Sequence, residues 1–210
     1  MMKNILLPTD FSSNSMNAIN YALQFFKSEK CNFYILHVNR IVSVYDGASV
    51  YTPAASTNIN AVCVEESKEV LKERLQTLQE QNKNSLHKFY ALHDTNFFIE
   101  SVRKHVEEKE IDLIVLGTKG ASNAANKVIG TNTGDVIRKV ACKTLIIPEK
   151  AIYTDLSTIT FPTDFSLNYS IQTLNPLHEL LRKTNANLQI LHVTNSEVSL
   201  NANQQEIKIY

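Results

Sequence analysis

The sequence predicts an α/β protein in which a parallel sheet is covered by helices on both faces. First, short apolar segments alternate along the chain with segments of helical periodicity. Second, most of the apolar segments are uninterrupted, as strands buried on both faces require. Third, 210 residues, of which 43% are hydrophobic and 20% charged, suffice for one globular domain and a smaller additional part.

Five strands are predicted up to residue 148, at Lys3–Leu7, Phe33–Val38, 86–92, 112–117 and 143–148. Helices are predicted between them, because apolar residues recur there at helical spacing. The residues that mark these helices are, in chain order, Met16, Ile19, Ala22, Leu23 and Phe26; Ser67, Leu71, Leu75 and Leu78; Ile99, Val102 and Val106; and Val136, Ile137, Val140 and Ala141. The polar segment 39–60 has no clear period and is predicted to be a long loop.

Composition and charge argue against several classes of function. Lys and Arg total 21, as do Asp and Glu, so no overall charge favours nucleic acid or an anionic membrane as a partner. No apolar segment approaches the ~18 residues of a membrane-spanning helix, and the N-terminus is predicted to hold a strand rather than a signal peptide. Three scattered cysteines without a CxxC pair suit a reducing compartment, so a cytoplasmic protein is expected.

The beginning of the chain is repeated near its end. The segment 5–39 recurs as 159–195, with PTDFS displaced by 154 positions and ILHV by 155. We infer that one residue is inserted between the motif and the helix that follows it. Pro176 falls within the second helix, where it should produce a kink or lie in a shortened first turn. We expect a domain at 1–150 and a partial second copy, strand–helix–strand, at 151–210.

Four of the five glycines lie between residues 117 and 134, after the fourth strand and around the start of the next helix. Gly117 and Gly120 would let the backbone approach a ligand closely or adopt positive φ. Gly130, Thr131, Asn132 and Thr133 are expected just before the helix, whose unpaired amides and dipole form an anion site. The hydroxyls of Thr131 and Thr133 could add donors or reach a metal ion bound to phosphate. The alternative is that these glycines only form turns around an ordinary helix start.

Together these features resemble the universal stress protein family. They are a first strand ending in PTDFS, a second strand with ILHV, and the pattern G-x2-G-x9-G-(S/T) between the fourth and fifth strands. The resemblance covers residues 3–148 as a complete domain and 157–195 as a partial one. It implies an adenine nucleotide alpha hydrolase-like fold, a five-stranded parallel sheet of order 3-2-1-4-5, and dimerisation through the last strand. In this family the glycine motif separates members that bind ATP from those that do not.

The resemblance also implies which residues would bind ATP, with or without Mg²⁺. Asp10 would hydrogen-bond the adenine base. The base would be lined by Pro8, Thr9, Asp10 and Val38, the ribose by Leu116 and Gly117, and the phosphates by Gly120, Gly130, Thr131, Asn132 and Thr133. Asp135 departs from this pattern, because its charge would repel a triphosphate unless Mg²⁺ intervenes or Lys119 offsets it.

Some of these polar residues also have structural roles open to them. Asp10 follows a strand and could cap the next helix, and capping is the expected role of its counterpart Asp164, which has no glycine segment beside it. His37 and His192 are expected to point into the interior, each with one ring nitrogen bonded to the backbone.

The leading hypothesis is a cytoplasmic regulatory protein that binds ATP or AMP and forms a homodimer or a tandem pseudo-dimer. One alternative is a nucleotide-free interaction module of the same fold, in which the glycines only shape a loop. Copurified nucleotide would separate these two. A slow ATPase is the other alternative, although the sequence has no HxGH-like pair, no SGGxDS motif, no Walker A lysine and no identifiable general base.

Overall fold

The computed structural model describes residues 2–39, 53–118, 129–193 and 202–209. The chain is divided into two compact units, Met1–Tyr153 and Thr154–Tyr210. The first unit contains a five-stranded sheet and the second a two-stranded sheet.

The sheet of the first unit is parallel throughout and has the strand order β3-β2-β1-β4-β5. Its strands are β1 Lys3–Pro8, β2 Cys31–Val38, β3 His87–Asp94, β4 Leu113–Gly117 and β5 Thr144–Ile147. The predicted fold class and the strand order that the resemblance implies are therefore confirmed. Because all five strands run in one direction, their carboxyl ends lie along one edge of the sheet.

Four helices cover this sheet: α1 Ser13–Phe25, α2 Pro53–Gln81, α3 Phe98–Glu108 and α4 Thr131–Lys139. Helix α1 contacts β1, β4 and β5, and α2 contacts β2 and β3. Helices α3 and α4 pack against each other and bury Val102 and Val136 in a core with Leu6 of β1. Side chains alternate across a strand, so the neighbours of Leu6 face the opposite side of the sheet. The central strands β1, β2 and β4 are thus covered on both faces, as their apolar sequences predict.

Helix α2 is longer than its apolar spacing predicts. It begins at Pro53, so the expected loop 39–60 is wrong for residues 53–60, and residues 40–52 lie outside the described part of the chain. Proline is favoured in the first turn of a helix, where its missing amide would be unpaired in any case. The following segment, AASTNINA, has no apolar stripe, so hydrophobic periodicity does not predict a helix there.

Helix α4 also differs from its prediction. It begins at Thr131, so the polar residues expected just before the helix form its first turn. It ends at Lys139, because Val140 has an extended backbone and Ala141 lies outside the helix.

The second unit repeats the first elements of the chain. It contains β6 Thr158–Pro162, α5 Ile171–Thr184, β7 Asn187–Leu191 and the additional helix α6 Ala202–Ile209, which the sequence does not predict. Pro8 pairs with Leu36 in the first unit and Pro162 with Leu191 in the second, so the strands keep the displacements of 154 and 155. Helix α5 begins five residues before Pro176, so this proline is not in a shortened first turn.

The second unit buries its apolar residues poorly. No residue of α5, all of which is described, is buried. Leu188 and Ile190 are 43% and 51% exposed, whereas Phe33 and Ile35, which stand 155 positions earlier, are at most 1% exposed. A groove between β6, β7, α5 and α6 remains open at these positions.

Amide hydrogens of β7 are expected to exchange with solvent much faster than those of β2 in the intact chain. Local opening costs little where few apolar contacts are lost, and a two-stranded sheet is marginally stable by itself. Hydrogen–deuterium exchange with mass spectrometry, comparing peptides from residues 31–38 and 187–191, measures the difference directly. Equal protection of the two peptides would contradict this expectation.

Candidate functional site

The candidate site lies at the carboxyl edge of the sheet, where β1 and β4 are neighbours. The chain leaves β1 toward β2 and β3 on one side of the sheet, and later leaves β4 toward β5 on the other. Such a switch point opens a crevice outside the strand ends, and ligands of parallel sheets bind there. The first residue after β1 is Thr9 and the first after β4 is Thr118, and both lie at this edge.

The turn after β1 is held by its own side chains. The Thr9 hydroxyl accepts a hydrogen bond from the Phe11 amide at 3.0 Å and pairs with the Ser15 hydroxyl at 2.9 Å. One Asp10 oxygen accepts from the Ser12 amide at 3.1 Å and the Ser12 hydroxyl at 2.6 Å. Ser12, not Asp10, is the N-cap of α1, because its side chain accepts from the Ser15 amide. Asp10 is exposed at the sheet edge, whereas Thr9 is buried.

An aromatic pair lies beside this turn. Phe11 has a φ of 62°, which is strained for a bulky residue, and its ring stacks on His37 at 4.2 Å between centroids. The His37 Nδ1 atom is 2.9 Å from the Thr9 carbonyl oxygen, which confirms the expected bond between this ring and the backbone. No sequence pattern predicts the left-handed Phe11 conformation.

The second unit builds the same turn. Phe165 has a φ of 57°, and its amide donates to the Thr163 hydroxyl at 3.0 Å. His192 Nδ1 is 2.8 Å from the Thr163 carbonyl oxygen, as predicted. Asp164 accepts from the amide and hydroxyl of Ser166, and Ser170 caps α5. Because both copies fold this turn alike, its hydrogen bonds follow from the PTDFS motif itself.

At the end of β4, Gly117 makes room for a protein side chain. A Cβ atom at this position would lie 2.8 Å from Asn14 Oδ1 and 2.9 Å from Asn14 Cγ, and Asn14 is only 6% exposed. The backbone of Gly117 does not have positive φ. Of the two roles expected of this glycine, positive φ is therefore wrong, and the close approach is to Asn14 of α1. Gly120 lies outside the described residues.

Two hydrogen bonds join the start of α4 to the end of β4. The Gly130 amide donates to the Thr118 carbonyl at 2.6 Å. The Thr133 hydroxyl donates to the Gly117 carbonyl at 2.8 Å, and Thr133 is 4% exposed. These two bonds hold the end of β4, at Gly117 and Thr118, next to the start of α4, at Gly130 and Thr133.

The first turn of α4 presents backbone donors without partners in the described structure. Its N-cap, Gly130, has no side chain to accept them. The first helical bond runs from the Gly134 amide to the Gly130 carbonyl at 3.0 Å. Among the described residues, no hydrogen bond engages the amides of Thr131, Asn132 or Thr133. Thr131 and Asn132 are also exposed, so this helix end can accept an anion.

The charge of Asp135 is balanced within α4. Its carboxylate oxygens lie 2.7 Å from Arg138 Nη2 and 3.2 Å from Lys139 Nζ. Hydrogen bonds from Lys139 and Arg138 lower the pKa of Asp135, which therefore stays ionised and paired. The repulsion expected between this residue and a triphosphate is reduced by these two cations; Lys119 lies outside the described residues.

A buried histidine lies farther along the same edge. His105 of α3 is 6% exposed, with Nε2 3.6 Å from Asp94 Oδ2 and Nδ1 3.8 Å from Glu108 Oε2. Burial lowers the pKa of His105 and the charge of Lys104 adds to this effect, while Asp94 and Glu108 oppose it. Burial also lowers the pKa of His93.

The free energy of unfolding is expected to fall as the pH drops below 6.5, the usual pKa of histidine. The unfolded chain takes up protons on His105 and His93 before the folded chain does, so acid favours unfolding until the lower native pKa values are passed. Urea titrations between pH 7.5 and 5 measure the slope. The variant His105→Gln should show a shallower slope, and an unchanged slope would contradict the role of this residue.

Other kinds of site find no support in the described part of the chain. There, no group of three or more His, Cys, Asp or Glu residues could hold a metal ion. None of the helices in the described ranges is both long and apolar enough to cross a membrane.

Comparison with known proteins agrees with the fold and the motifs. The family model of the universal stress proteins matches residues 1–148. Universal stress protein MJ0577 of Methanocaldococcus jannaschii is 28% identical over 163 residues, which cover 71% of this chain and 97% of that protein. Universal stress protein YxiE of Bacillus subtilis is 26% identical over 154 residues, which cover 70% and 99%.

Solved structures of similar fold are found as well. The structure of MJ0577 aligns with a TM-score of 0.59 at 21% identity, over 71% of this chain and 98% of that one. A universal stress protein of Archaeoglobus fulgidus aligns with a TM-score of 0.63 at 18% identity, over 98% of this chain and 71% of that one. Two other neighbours, a universal stress protein in complex with cAMP and one from Arabidopsis thaliana with AMP bound, align at TM-scores of 0.43 and 0.45. By its matching family model, the chain belongs to the universal stress protein family.

Proposed function

We propose that this protein binds an adenine nucleotide, ATP or AMP, at the switch point between β1 and β4, and that it acts as a regulatory protein. The observation that carries the proposal is the first turn of α4, whose amides of Thr131, Asn132 and Thr133 have no partner among the described residues. Family membership supports the same ligand, because the chain retains the glycine motif of the ATP-binding members.

The phosphates would bind at this helix end. Hydrogen bonds from amides to a charged phosphate each contribute about 1.5–3 kcal/mol, so three of them would supply about 5–9 kcal/mol, a large share of the roughly 8 kcal/mol that micromolar affinity requires. The helix dipole adds to the attraction, and the glycine at the N-cap has no side chain that could block the approach. If Mg²⁺ accompanies ATP, it would be held by the phosphates and by the exposed Thr131 hydroxyl.

The base would bind beside the turn after β1. Asp10 is exposed there, while Pro8 is buried and Val38 half-buried at the neighbouring strand ends. A carboxylate can accept hydrogen bonds from the adenine amino group, and apolar side chains at the strand ends would contact the ring. Leu116, which is 5% exposed, would support the ribose from beneath rather than offer it a polar contact.

Isothermal titration calorimetry of the folded protein with ATP, AMP and adenosine, each with and without Mg²⁺, tests this function. We expect micromolar binding of the nucleotides and weaker binding of adenosine, because adenosine lacks the phosphates that α4 would hold. Absence of binding by ATP and AMP to a protein that circular dichroism shows to be folded would refute the proposal.

The nucleotide-free dimerisation module is the second candidate, and the position of β5 favours it. Within the described residues β5 pairs only with β4, so its outer edge is available to another chain. We propose dimerisation through this edge, as the family resemblance implies. Native mass spectrometry reports subunit number and bound nucleotide together, so a dimer without nucleotide would favour this candidate over the first.

We further propose that residues 1–150 form the nucleotide-binding domain and residues 151–210 a partial second repeat, in a cytoplasmic protein. The repeated turn at Thr163–Ser166 supports the second assignment. Cys31 and Cys142 form no disulfide within the described residues, which is compatible with a reducing compartment.

A further inference from the structure

Thr133 differs from the two residues before it in the first turn of α4. Thr131 and Asn132 are exposed, whereas Thr133 is 4% exposed. Its hydroxyl is directed into the protein, where it donates to the carbonyl oxygen of Gly117 at 2.8 Å. This hydroxyl is therefore not available as a donor to phosphate, although the family resemblance implies a place among the phosphate contacts.

The Gly117 carbonyl belongs to the last residue of β4, which is buried. One residue later, the Thr118 carbonyl accepts from the Gly130 amide at 2.6 Å. The carbonyls of Gly117 and Thr118 thus accept hydrogen bonds from the Thr133 hydroxyl and the Gly130 amide, and these bonds hold the start of α4 at the strand end. Removing the Thr133 hydroxyl would leave the Gly117 carbonyl without this partner, which is costly in a buried place.

We propose that Thr133 is a positioning residue for the nucleotide site. It fixes the α4 amides relative to the end of β4, so that they are aimed before the phosphates arrive. The inference rests on the proposed nucleotide-binding function and assigns a separate role within it. Thr131 and Asn132 supply donors to the ligand, and the Thr133 side chain holds those donors in place.

Preorganisation of this kind affects only the part of the ligand that α4 contacts. The variant Thr133→Val keeps the branched shape and approximate volume but removes the donor, and Thr133→Ser keeps the donor. Thr77→Val is the matched control, since it removes a threonine hydroxyl that donates to a backbone carbonyl, that of Glu73 in α2, outside the proposed site.

Affinities for ATP and adenosine are measured by calorimetry for these variants. Thr133→Val is expected to weaken ATP binding about tenfold or more, the equivalent of one charge-assisted hydrogen bond, and to leave adenosine binding unchanged. Thr133→Ser should restore ATP binding to within about threefold of the original protein, because its hydroxyl can still donate. Should Thr133→Val fail to fold, Thr133→Ala replaces it with the same expectation.

The ligand-free protein offers a second measurement. Amide NMR resonances of Thr131 and Asn132 should shift or broaden in Thr133→Val and stay in place in Thr133→Ser. Unchanged ATP affinity in Thr133→Val overturns the positioning role while nucleotide binding stands. An equal loss of ATP and adenosine affinity also overturns it, because that indicates general damage. If the original protein binds no nucleotide, both proposals fail.

Discussion

Replacement of Gly117 by alanine is expected to lower the free energy of unfolding by about 1–3 kcal/mol. The added Cβ atom would lie 2.8–2.9 Å from three atoms of the Asn14 carboxamide, well inside ordinary contact distance. Asn14 is short and 6% exposed, so it cannot swing into solvent as a long surface side chain would. Either α1 or the end of β4 must move, and both border the proposed nucleotide site.

Gly134→Ala is the matched control in the same glycine-rich stretch. The atoms nearest to its Cβ would be those of the Arg138 guanidinium, at 3.3 Å from Nη1, and that side chain is 67% exposed. Because Gly134 lies inside α4 without positive φ, alanine there should raise stability by about 0.5–1 kcal/mol. Chemical denaturation measures the free energy of unfolding of both variants, which should fall for Gly117→Ala and rise for Gly134→Ala.

The cause of the Gly117 effect can be isolated in a double-mutant cycle. If the clash with Asn14 is responsible, Gly117→Ala should destabilise the Asn14→Ala protein much less than it destabilises the original one. The same loss in both backgrounds would mean that some other contact of Gly117 is at work. Gly117→Ala with wild-type stability would show that the strand end adjusts without cost.

Much of the fold could be predicted from local patterns. Apolar segments such as Phe33–Val38 identified the strands, and their lack of alternation identified a sheet buried on both faces. The strand order came from the family resemblance, because no local pattern states which strands are neighbours. Hydrophobic periodicity does not predict the first residues of α2 and α4, because these residues are polar.

The contacts within the candidate site could not be predicted in the same way. Spacing places Thr131 and Thr133 near the start of a helix, but it cannot tell which hydroxyl faces the protein. That difference depends on Gly117, sixteen positions before Thr133, and the use of Gly117 as space for Asn14 depends on a residue more than one hundred positions away. Such pairings arise only when β1 and β4 become neighbours.

The two copies of the internal repeat share the PTDFS turn but differ in the residues packed around it. PTDFS builds the same turn in both units, so this turn needs only its own side chains and the adjacent strand. Leu6, which is fully buried beneath α3 and α4, corresponds to Thr160, whose hydroxyl lies 3.4 Å from Gln189 Oε1. One face of the second sheet thus carries polar side chains where the first carries a core residue. The repeat preserves the turn without preserving the core on that face.

Replacement of Thr131 by proline is expected to weaken ATP binding about 10- to 100-fold, the loss of one amide donor to a charged phosphate. Thr131 is the first residue of α4, where proline is favoured and its missing N–H breaks no helical bond. Gly130 has φ −67° and ψ 158°, the extended conformation that a residue before proline adopts. The substitution therefore removes a proposed ligand donor and should leave the helix intact.

Thr131→Ala completes this experiment, because it removes the hydroxyl but keeps the amide. Calorimetry with ATP should show a small loss for alanine and the large loss for proline, and denaturation should show both variants within about 1 kcal/mol of the original stability. Adenosine binding should be unaffected by either variant, since adenosine lacks the phosphates that α4 is proposed to hold. If Thr131→Pro binds ATP as tightly as Thr131→Ala, the Thr131 amide does not contact phosphate, which contradicts the place proposed for it in the nucleotide site.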